Sequence, residues 1–488
     1  AALDMRSKTD DDTRSGADHC SLAPPPPDQG LDVRVDRTVT LFPPALSLAS
    51  APAAFTYRNG DVSAIVRFGA NESRGTRSSD SGRTWAAVPQ QPAPFSNRTQ
   101  SEVRTYACQL RDGEVVLFSG FNNRSRNGQN NGQDFSRASD GSVATELLRS
   151  RDNGLTQTSS VAKLWLPKDL VLTNLQHAPI VELSNGSLLT VTYGSFVCGF
   201  TIKTSCLKAV PVCNAPWTAA PCSTDAECGT IGGASITCGH QAPVCRNGTC
   251  FSPIYKADVC IENTSVPLKG PDQVFAMVSD DRGSNWRYQA TVGGRSACAS
   301  KLRLNEAWLS ATPATGGGTL LTCIMRSQDG PPPHPAGMRR SVSTDSGVSW
   351  SRPEAAVDRG VSPTGAYLES IGVLAIAYGR PGNWLALSTT GGLSFGKPWC
   401  FLGEEASYDG SDYDSVVALP ARTPGEQQLM LGYKTCTSLY NCTGMATFVT
   451  VRRRNATAAH PTLKSDDGAQ SVVASVEPTG ELRITTIS

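Results

Sequence analysis

Among the residue types that do chemistry, cysteine is the most informative in this 488-residue chain. There are 16, an even number, at 20, 108, 198, 206, 213, 222, 228, 238, 245, 250, 260, 298, 323, 400, 436 and 442. None forms a CxxC pair or has a histidine at zinc-ligand spacing, so the pattern favours oxidation to disulfides over metal binding. Asparagine is the second reactive set, with Asn-X-Ser/Thr sequons at Asn71, Asn97, Asn123, Asn185, Asn247, Asn263, Asn441 and Asn455. Spread along a cysteine-rich chain, these acceptors point to a secreted or cell-surface glycoprotein. The five histidines, His19, His177, His240, His334 and His460, include no local pair of metal-ligand type, and there is no GxSxG or P-loop. No metal and no cofactor is expected.

Charge excludes another class. Lys and Arg number 44 against 43 Asp and Glu, a formal net charge of +1, without the basic surplus that displaces counterions from nucleic acid. The longest apolar stretch, near Ile371 to Tyr378, is far below the roughly 18 residues of a membrane span. The opening Ala1-Ala2-Leu3-Asp4 reads as the start of a mature product whose leader is gone.

The elements that must position any site announce themselves as a repeat. Ser-x-Asp-x-Gly-x-x-aromatic recurs as SSDSGRTW (78–85), SRDNGLTQ (150–157, ending in Gln), SDDRGSNW (279–286) and STDSGVSW (343–350), and STTGGLSF (388–395) is a copy without its Asp. Each copy is a hairpin turn: Ser and Asp tie down the turn backbone, Gly supplies positive φ, and the aromatic returns to the core. A second repeat, apolar strand, Gly-containing turn, apolar strand, precedes each box and occurs once more without one: AFTYRNGDVSAIVRF, YACQLRDGEVVLFSG, PIVELSNGSLLTVTYG, LSATPATGGGTLLTCIMR, YLESIGVLAIAYGR and SVVALPARTPGEQQLMLGYK. Six hairpins plus the strands joined by the boxes predict an all-β, six-bladed β-propeller. Its plan is a Pro-containing arm over 1–33, the propeller over 34–454, a Cys-rich insertion over 198–260 in the third blade, and a tail over 455–488 with one strand pair. The insertion holds nine of the 16 cysteines, so at least one pairs outside it or stays free. Box turns and first-hairpin turns share one face. The starts of first strands and ends of second strands share the other, where the insertion also emerges.

The boxes resemble the Asp-box, or BNR, repeats of sialidases, and GRPGNWLALS (379–388) is likewise similar to sialidase-related proteins. The resemblance runs from roughly Arg34 to Arg452, interrupted by the insertion. Asp boxes also occur in secreted propellers that are not sialidases, so they specify fold better than activity. The resemblance implies a site on the face opposite the boxes, with three arginines on a substrate carboxylate, a Tyr nucleophile paired with a Glu, and an Asp acid/base. In that pattern Tyr413 in DYDSVVAL matches the nucleophile and Glu306 in LNEAWLS its partner. Arg326 in CIMRSQ and Arg380 in AYGRPG match the second and third substrate-binding arginines.

The departures from the pattern are as informative. Ser50 stands where the first Arg belongs, and Lys434, after Tyr433, stands where a supporting Glu would close the sixth second strand. The acid/base loop RFGANESRGTRSSDSG offers only Asp80, spent on a box, and Glu72, inside a sequon, while Lys434 or Arg67 could restore the lost positive charge. A retaining hydrolase without its acid/base loses orders of magnitude in rate. The resemblance therefore implies a degenerate pocket that binds a glycan or glycoprotein, or serves extracellular assembly. The alternative is an active exo-glycosidase, of exo-α-sialidase type, on sialic acid or another acidic sugar. A third reading is a scaffold whose arm and tail carry self-assembly.

Overall fold

The computed structural model describes residues 30–46, 51–68, 72–88, 106–118, 137–175, 179–203, 206–207, 244–246, 249–251, 259–260, 264–293, 302–314, 317–328, 337–379, 382–403, 414–438, 441–454, 471–476 and 482–487. Among them the fold is all-β. Strand β1 (Leu31–Leu46) is followed by a four-stranded antiparallel sheet of β2 (Ala53–Thr56), β3 (Val62–Phe68), β4 (Glu72–Ser78) and β5 (Ala86–Val88). The second set is β6 (Cys108–Gln109), β7 (Val115–Phe118), β8 (Val143–Ser150) and β9 (Thr158–Trp165). Next come β10 (Leu170–Asn174), β11 (Ile180–Glu182) and β12 (Leu188–Lys203), then four short strands paired among themselves, β13 (Cys206–Leu207) with β16 (Val259–Cys260) and β14 (Val244–Arg246) with β15 (Thr249–Phe251). Strands β17 (Thr264–Ser279) and β18 (Asn285–Val292) complete the third set with β11 and β12.

The fourth set is β19 (Leu304–Pro313), β20 (Thr319–Ser327), β21 (Met338–Ser343) and β22 (Glu354–Val357), and the fifth is β23 (Val361–Leu368), β24 (Val373–Gly379), β25 (Asn383–Ser388) and β26 (Trp399–Leu402). The last sheet combines β27 (Ser415–Ala418), β28 (Glu426–Ser438) and β29 (Asn441–Arg453) with β1 from the other end of the chain. Strands β30 (Ser471–Val476) and β31 (Leu482–Ile487) form a separate hairpin. Two compact units are distinguished: Val197–Lys269, and the remainder of the chain.

Two features of this pairing differ from a plain repetition of hairpins. The last sheet, which has no box, takes its outer strand from β1, which begins at Leu31, inside the stretch read from the sequence as arm. The alternation Leu31, Val33, Val35 suits a strand with one face on the core, and Leu31 is 2% exposed. The second and third sets also fuse into one nine-stranded sheet, because β9 and β18 pair in parallel over Lys163–Trp165 and Asn285–Arg287. The Lys163 N–H donates to Ser284 O at 2.9 Å, and Trp165 Nε1–H reaches Asn285 Oδ1 at 3.3 Å.

The boxes are built alike. In the first, the Ser78 hydroxyl donates to Asp80 Oδ1 and accepts the Gly82 N–H at 2.7 Å. Asp80 also accepts the Thr84 N–H, and Trp85 Nε1–H closes on Gly82 O at 3.0 Å. Hydrogen bonds from the Thr84 amide and hydroxyl, then from Ser78, hold the Asp80 carboxyl well below its ordinary range. The fifth box substitutes Thr390, whose Oγ1 accepts the Ser394 N–H at 2.9 Å.

Each box leans on the set before it. A Cβ on Gly82 would lie 2.3 Å from Phe448 of the last sheet, on Gly154 2.2 Å from Tyr57, on Gly283 2.9 Å from Leu147, on Gly347 3.0 Å from Leu189, and on Gly392 2.6 Å from Thr322. Polar ties follow the same order: Arg422 donates to Asp80 O, Arg77 to Asn153 O, Arg149 to Arg282 O, Gln289 to Ser346 O and Thr322 to Gly391 O. The apolar core is likewise divided into clusters that each join two successive sets. Tyr57 packs with Leu148, Leu147 with Trp286, Val191 with Leu309, Trp308 with Leu374, Val373 with Val449, and Phe448 with Val62. The opening strands therefore lie side by side, β6 by β11, β11 by β19, β19 by β23, β23 by β27 and β27 by β2.

Candidate functional site

The site lies where β19 and β23 begin and β20 ends. Strands β19 and β20 pair with Asn305 opposite Arg326, then skip so that Ala307 faces Met325, which leaves Glu306 as a bulged residue. Its φ is 37°, in the left-handed region, and that of Ser362, in an irregular stretch of β23, is 49°. Such backbone costs a residue other than glycine about 1–3 kcal/mol and persists where the surroundings enforce it. The other non-glycine residues with positive φ among those described, Ser81, Asn153, Arg282 and Ser346, all hold the same position in a box turn. Outside the boxes the strained pair is Glu306 and Ser362, and they touch: the Ser362 N–H donates to Glu306 Oε2 at 3.1 Å.

Glu306 Oε1 accepts Arg326 Nη1–H at 2.7 Å, with the Glu306 side chain 8% exposed and that of Arg326 22%. Both carboxylate oxygens are thus engaged, one by a guanidinium and one by an amide. Arg326 spends Nη1 on this pair, while its Nε makes no hydrogen bond. The guanidinium is oriented by Glu306.

A second polar knot fixes the chain immediately after Tyr413. Asp414, 2% exposed, accepts Asn383 Nδ2–H at 2.8 Å, and its backbone oxygen accepts the Thr364 hydroxyl at 3.0 Å. The Ser415 hydroxyl donates to Pro52 O at 2.6 Å. Strands β23, β25 and β27 and the entry to β2 are therefore pinned together at the same end as Glu306.

Of the sequence-derived candidates, Glu306 and Arg326 come together as an ion pair, and Arg380 and Tyr413 lie outside the described residues. Ser50 also lies outside them, as do the side chains of Arg67 and Glu72. Asp80 is committed to its box. Lys434 is buried, at 5% exposure, and does not close its strand: β28 runs on to Ser438, where the Cys436–Cys442 disulfide staples it to β29. Tyr433 shares a 2.9 Å hydrogen bond with Thr447, and burial pushes its phenol upward against the hydrogen bonds from Thr447 and Thr38. Two further residues belong to the site and were not singled out from the sequence. Asn305 is visible only as the neighbour of Glu306, and Ser362 carries no local signal, because its role depends on which strand β19 meets.

Sequon asparagines Asn185, exposed on the β11–β12 turn, and Asn441, half-buried on β29, are described, and the other six lie outside. Cys198 and Cys400 are disulfide-bonded, whereas Cys108 and Cys323 are free thiols. Burial pushes the Cys108 thiol up to about 12 and that of Cys323 higher still, so neither is a nucleophile near neutrality. Among the described residues no cluster of three or more His, Cys, Asp or Glu could hold a metal ion, and no helix is long and apolar enough to cross a membrane.

No family model matches the chain. No curated relative matches it either. Solved structures do. A protein of unknown function from Dyadobacter fermentans is 14% identical at a TM-score of 0.50, over 87% of this chain and 100% of that one. The α-L-arabinofuranosidase Arb93A of Fusarium graminearum is 13% identical at 0.44, over 85% and 97%. A Trypanosoma rangeli sialidase is 14% identical at 0.41, over 89% of this chain but 59% of its own. The likeness to the Dyadobacter protein is one of fold.

Proposed function

We propose that this chain is a secreted, N-glycosylated, six-bladed sialidase-like propeller that binds an acidic glycan in a pocket stripped of ordinary turnover. Two observations support the blade count. The box glycines and the core clusters each lean on the preceding strand set, and the first box leans on the last sheet, which is how a closed circle of six units packs. Sequons and disulfides support the extracellular reading, and the compact unit over Val197–Lys269 supports a stapled insertion. The arm and the β30–β31 tail remain the segments through which copies would assemble.

The observation that carries the functional reading is the strained Glu306, buried, clamped by Arg326 and held by the Ser362 amide. A rim charge would need neither the strain nor the burial. A guanidinium presented this way fits a carboxylate-bearing ligand. Sequence departures at Ser50 and Lys434 and the commitment of Asp80 to a turn argue against turnover.

The experiment offers the deglycosylated chain a fluorogenic sialoside and a panel of uronic and ulosonic acid glycosides, with Tyr413→Phe alongside. The expected result is no hydrolysis, together with binding of at least one acidic sugar that Arg326→Lys weakens. Hydrolysis abolished by Tyr413→Phe would instead establish the exo-glycosidase reading.

A further inference from the structure

The fifth box departs from the other four at two positions. Where they carry Asp80, Asp152, Asp281 and Asp345 it has Thr390, so its turn holds no carboxylate. Where they carry Ser81, Asn153, Arg282 and Ser346 at positive φ it has Gly391, at φ 67°. Thr390 still closes the turn, accepting the Ser394 N–H at 2.9 Å and sharing a 3.1 Å hydrogen bond with the Ser394 hydroxyl. The turn is thus kept while its charge and one side chain are withdrawn.

Both departures border a cavity of about 140 Å³ between the fourth and fifth strand sets, at the ends of β19 and β23 away from Glu306. Thr390 and Gly391 share its wall with Thr312, Leu320, Thr344 of the fourth box and Tyr367 of β23. A Cβ on Gly391 would lie 3.0 Å from Leu320 and 3.1 Å from Thr312 Oγ1, so the side chain that the other boxes carry here would crowd this wall. The volume is far above the ~15 Å³ that one water needs and below the roughly 300–1,000 Å³ of sites for drug-sized ligands, which suits a single small ring. Among the described residues no charged side chain lines it. The Tyr367 ring is half-buried, and neither its hydroxyl nor that of Thr344 makes a hydrogen bond among those residues. Burial and then the Glu369 charge push the phenol up, against the pull of Arg453, so it keeps its proton near neutrality.

We propose that this cavity is a carbohydrate site distinct from the acidic pocket, and that it takes one neutral sugar ring. The Tyr367 and Thr344 hydroxyls each make a hydrogen bond to a sugar hydroxyl, while the tyrosine ring and Leu320 cover the C–H face of the sugar. A wall of hydroxyl and apolar groups matches a ligand built of the same two kinds of group. A carboxylate or ammonium would lose its water there without meeting a counter-charge. Thr312 lies six residues beyond Glu306 on β19, roughly 20 Å away at the usual rise of a strand. The two sites are therefore separate, and failure of the acidic-glycan reading would leave this one standing.

The test is a saturation-transfer NMR titration of the full deglycosylated chain with methyl β-D-galactoside, methyl α-D-mannoside and methyl N-acetyl-β-D-glucosaminide. Methyl β-D-glucuronide serves as the charged counterpart. Wild type is compared with Tyr367→Phe and Thr344→Ala, and each variant is also melted. At least one neutral glycoside should bind, and each substitution should weaken it about five- to tenfold, the worth of one hydrogen bond. Both variants should melt with wild type, because neither hydroxyl has a partner within the described fold to lose. A neutral glycoside held undiminished by Tyr367→Phe or by Thr344→Ala overturns the site, as does a chain that binds none of the three. A glucuronide that binds as tightly and is weakened by the same substitutions overturns the neutral class of ligand. Either variant melting well below wild type marks its hydroxyl as structural and also overturns the site.

Discussion

The Glu306–Arg326 pair is asymmetric, and the asymmetry fixes what each substitution should do. Glu306 is 8% exposed and Arg326 22%, so a carboxylate left without its guanidinium has less access to water than a guanidinium left without its carboxylate. Removing one partner of a buried pair costs up to about 3–5 kcal/mol, much of it the isolated charge. Arg326→Met should therefore destabilise more than Glu306→Gln, and the double variant should recover part of the Arg326→Met loss. A double-mutant cycle by urea denaturation reads this directly, and additive single effects would show that the pair is not energetically coupled. At this scale the sequence was partly legible. Glu306 and Arg326 could be placed at strand ends from their own hairpin, whereas the contact between Ser362 and Glu306 joins different sheets and leaves no pattern in either segment.

The boxes were the most legible elements because all their chemistry is local: Ser78, Asp80, Gly82 and Trp85 bond among themselves and their immediate neighbours. What they lean on was not legible, since Phe448 lies at the far end of the chain from Gly82. The same holds for β1, whose alternation is visible in the sequence but whose partner, β29, is not. A pair of glycines separates the turn from the packing. Gly82 and Gly113 both have positive φ, 81° and 93°, yet a Cβ on Gly113 would meet nothing within 4 Å, while one on Gly82 would lie 2.3 Å from the Phe448 ring. Gly113→Ala should cost about 1 kcal/mol, from backbone conformation alone. Gly82→Ala should add an overpacking cost of about 1–3 kcal/mol on top. Thermal melts of the two variants give the comparison, and equal losses would mean that the box turn does not bear on the last sheet. Backbone register in the 197–269 unit sets a further expectation: Cys206 faces Cys260 and Cys245 faces Cys250 across antiparallel pairs. Such opposition brings Cα atoms to about 4.5–5.5 Å, within disulfide reach. Non-reducing peptide mapping should recover those two links, and any other partner for Cys245 would refute the register.

At the scale of the whole molecule, cohesion between strand sets depends on charged ties as well as on the core, and these make stability depend on pH. Glu114, on the first turn of the second set and 5% exposed at its side chain, accepts Arg149 Nη1–H at 3.0 Å and Arg151 Nε–H at 3.3 Å. It also accepts, at 2.7 Å, the guanidinium of Arg282 from the box of the third set. Burial pushes its carboxyl up, but the Arg282 hydrogen bond, the Arg149 charge and the Arg151 hydrogen bond outweigh it, and the net direction is down from the ordinary 4.5. A carboxyl depressed in the folded state binds its proton more weakly there than in the unfolded chain. The stability it contributes is therefore complete above the unfolded value and drains away as pH falls below about 4.5 toward and through the folded value. Glu114→Gln should accordingly be destabilised at pH 7, with the gap to wild type narrowing as pH is lowered through that window. High salt should leave most of the gap in place, since a carboxylate this buried is poorly screened. Melting both proteins at pH 7, 5, 4 and 3 measures the gap. One that stays constant would assign Glu114 a packing role and remove charge from the account of how the second and third sets hold together.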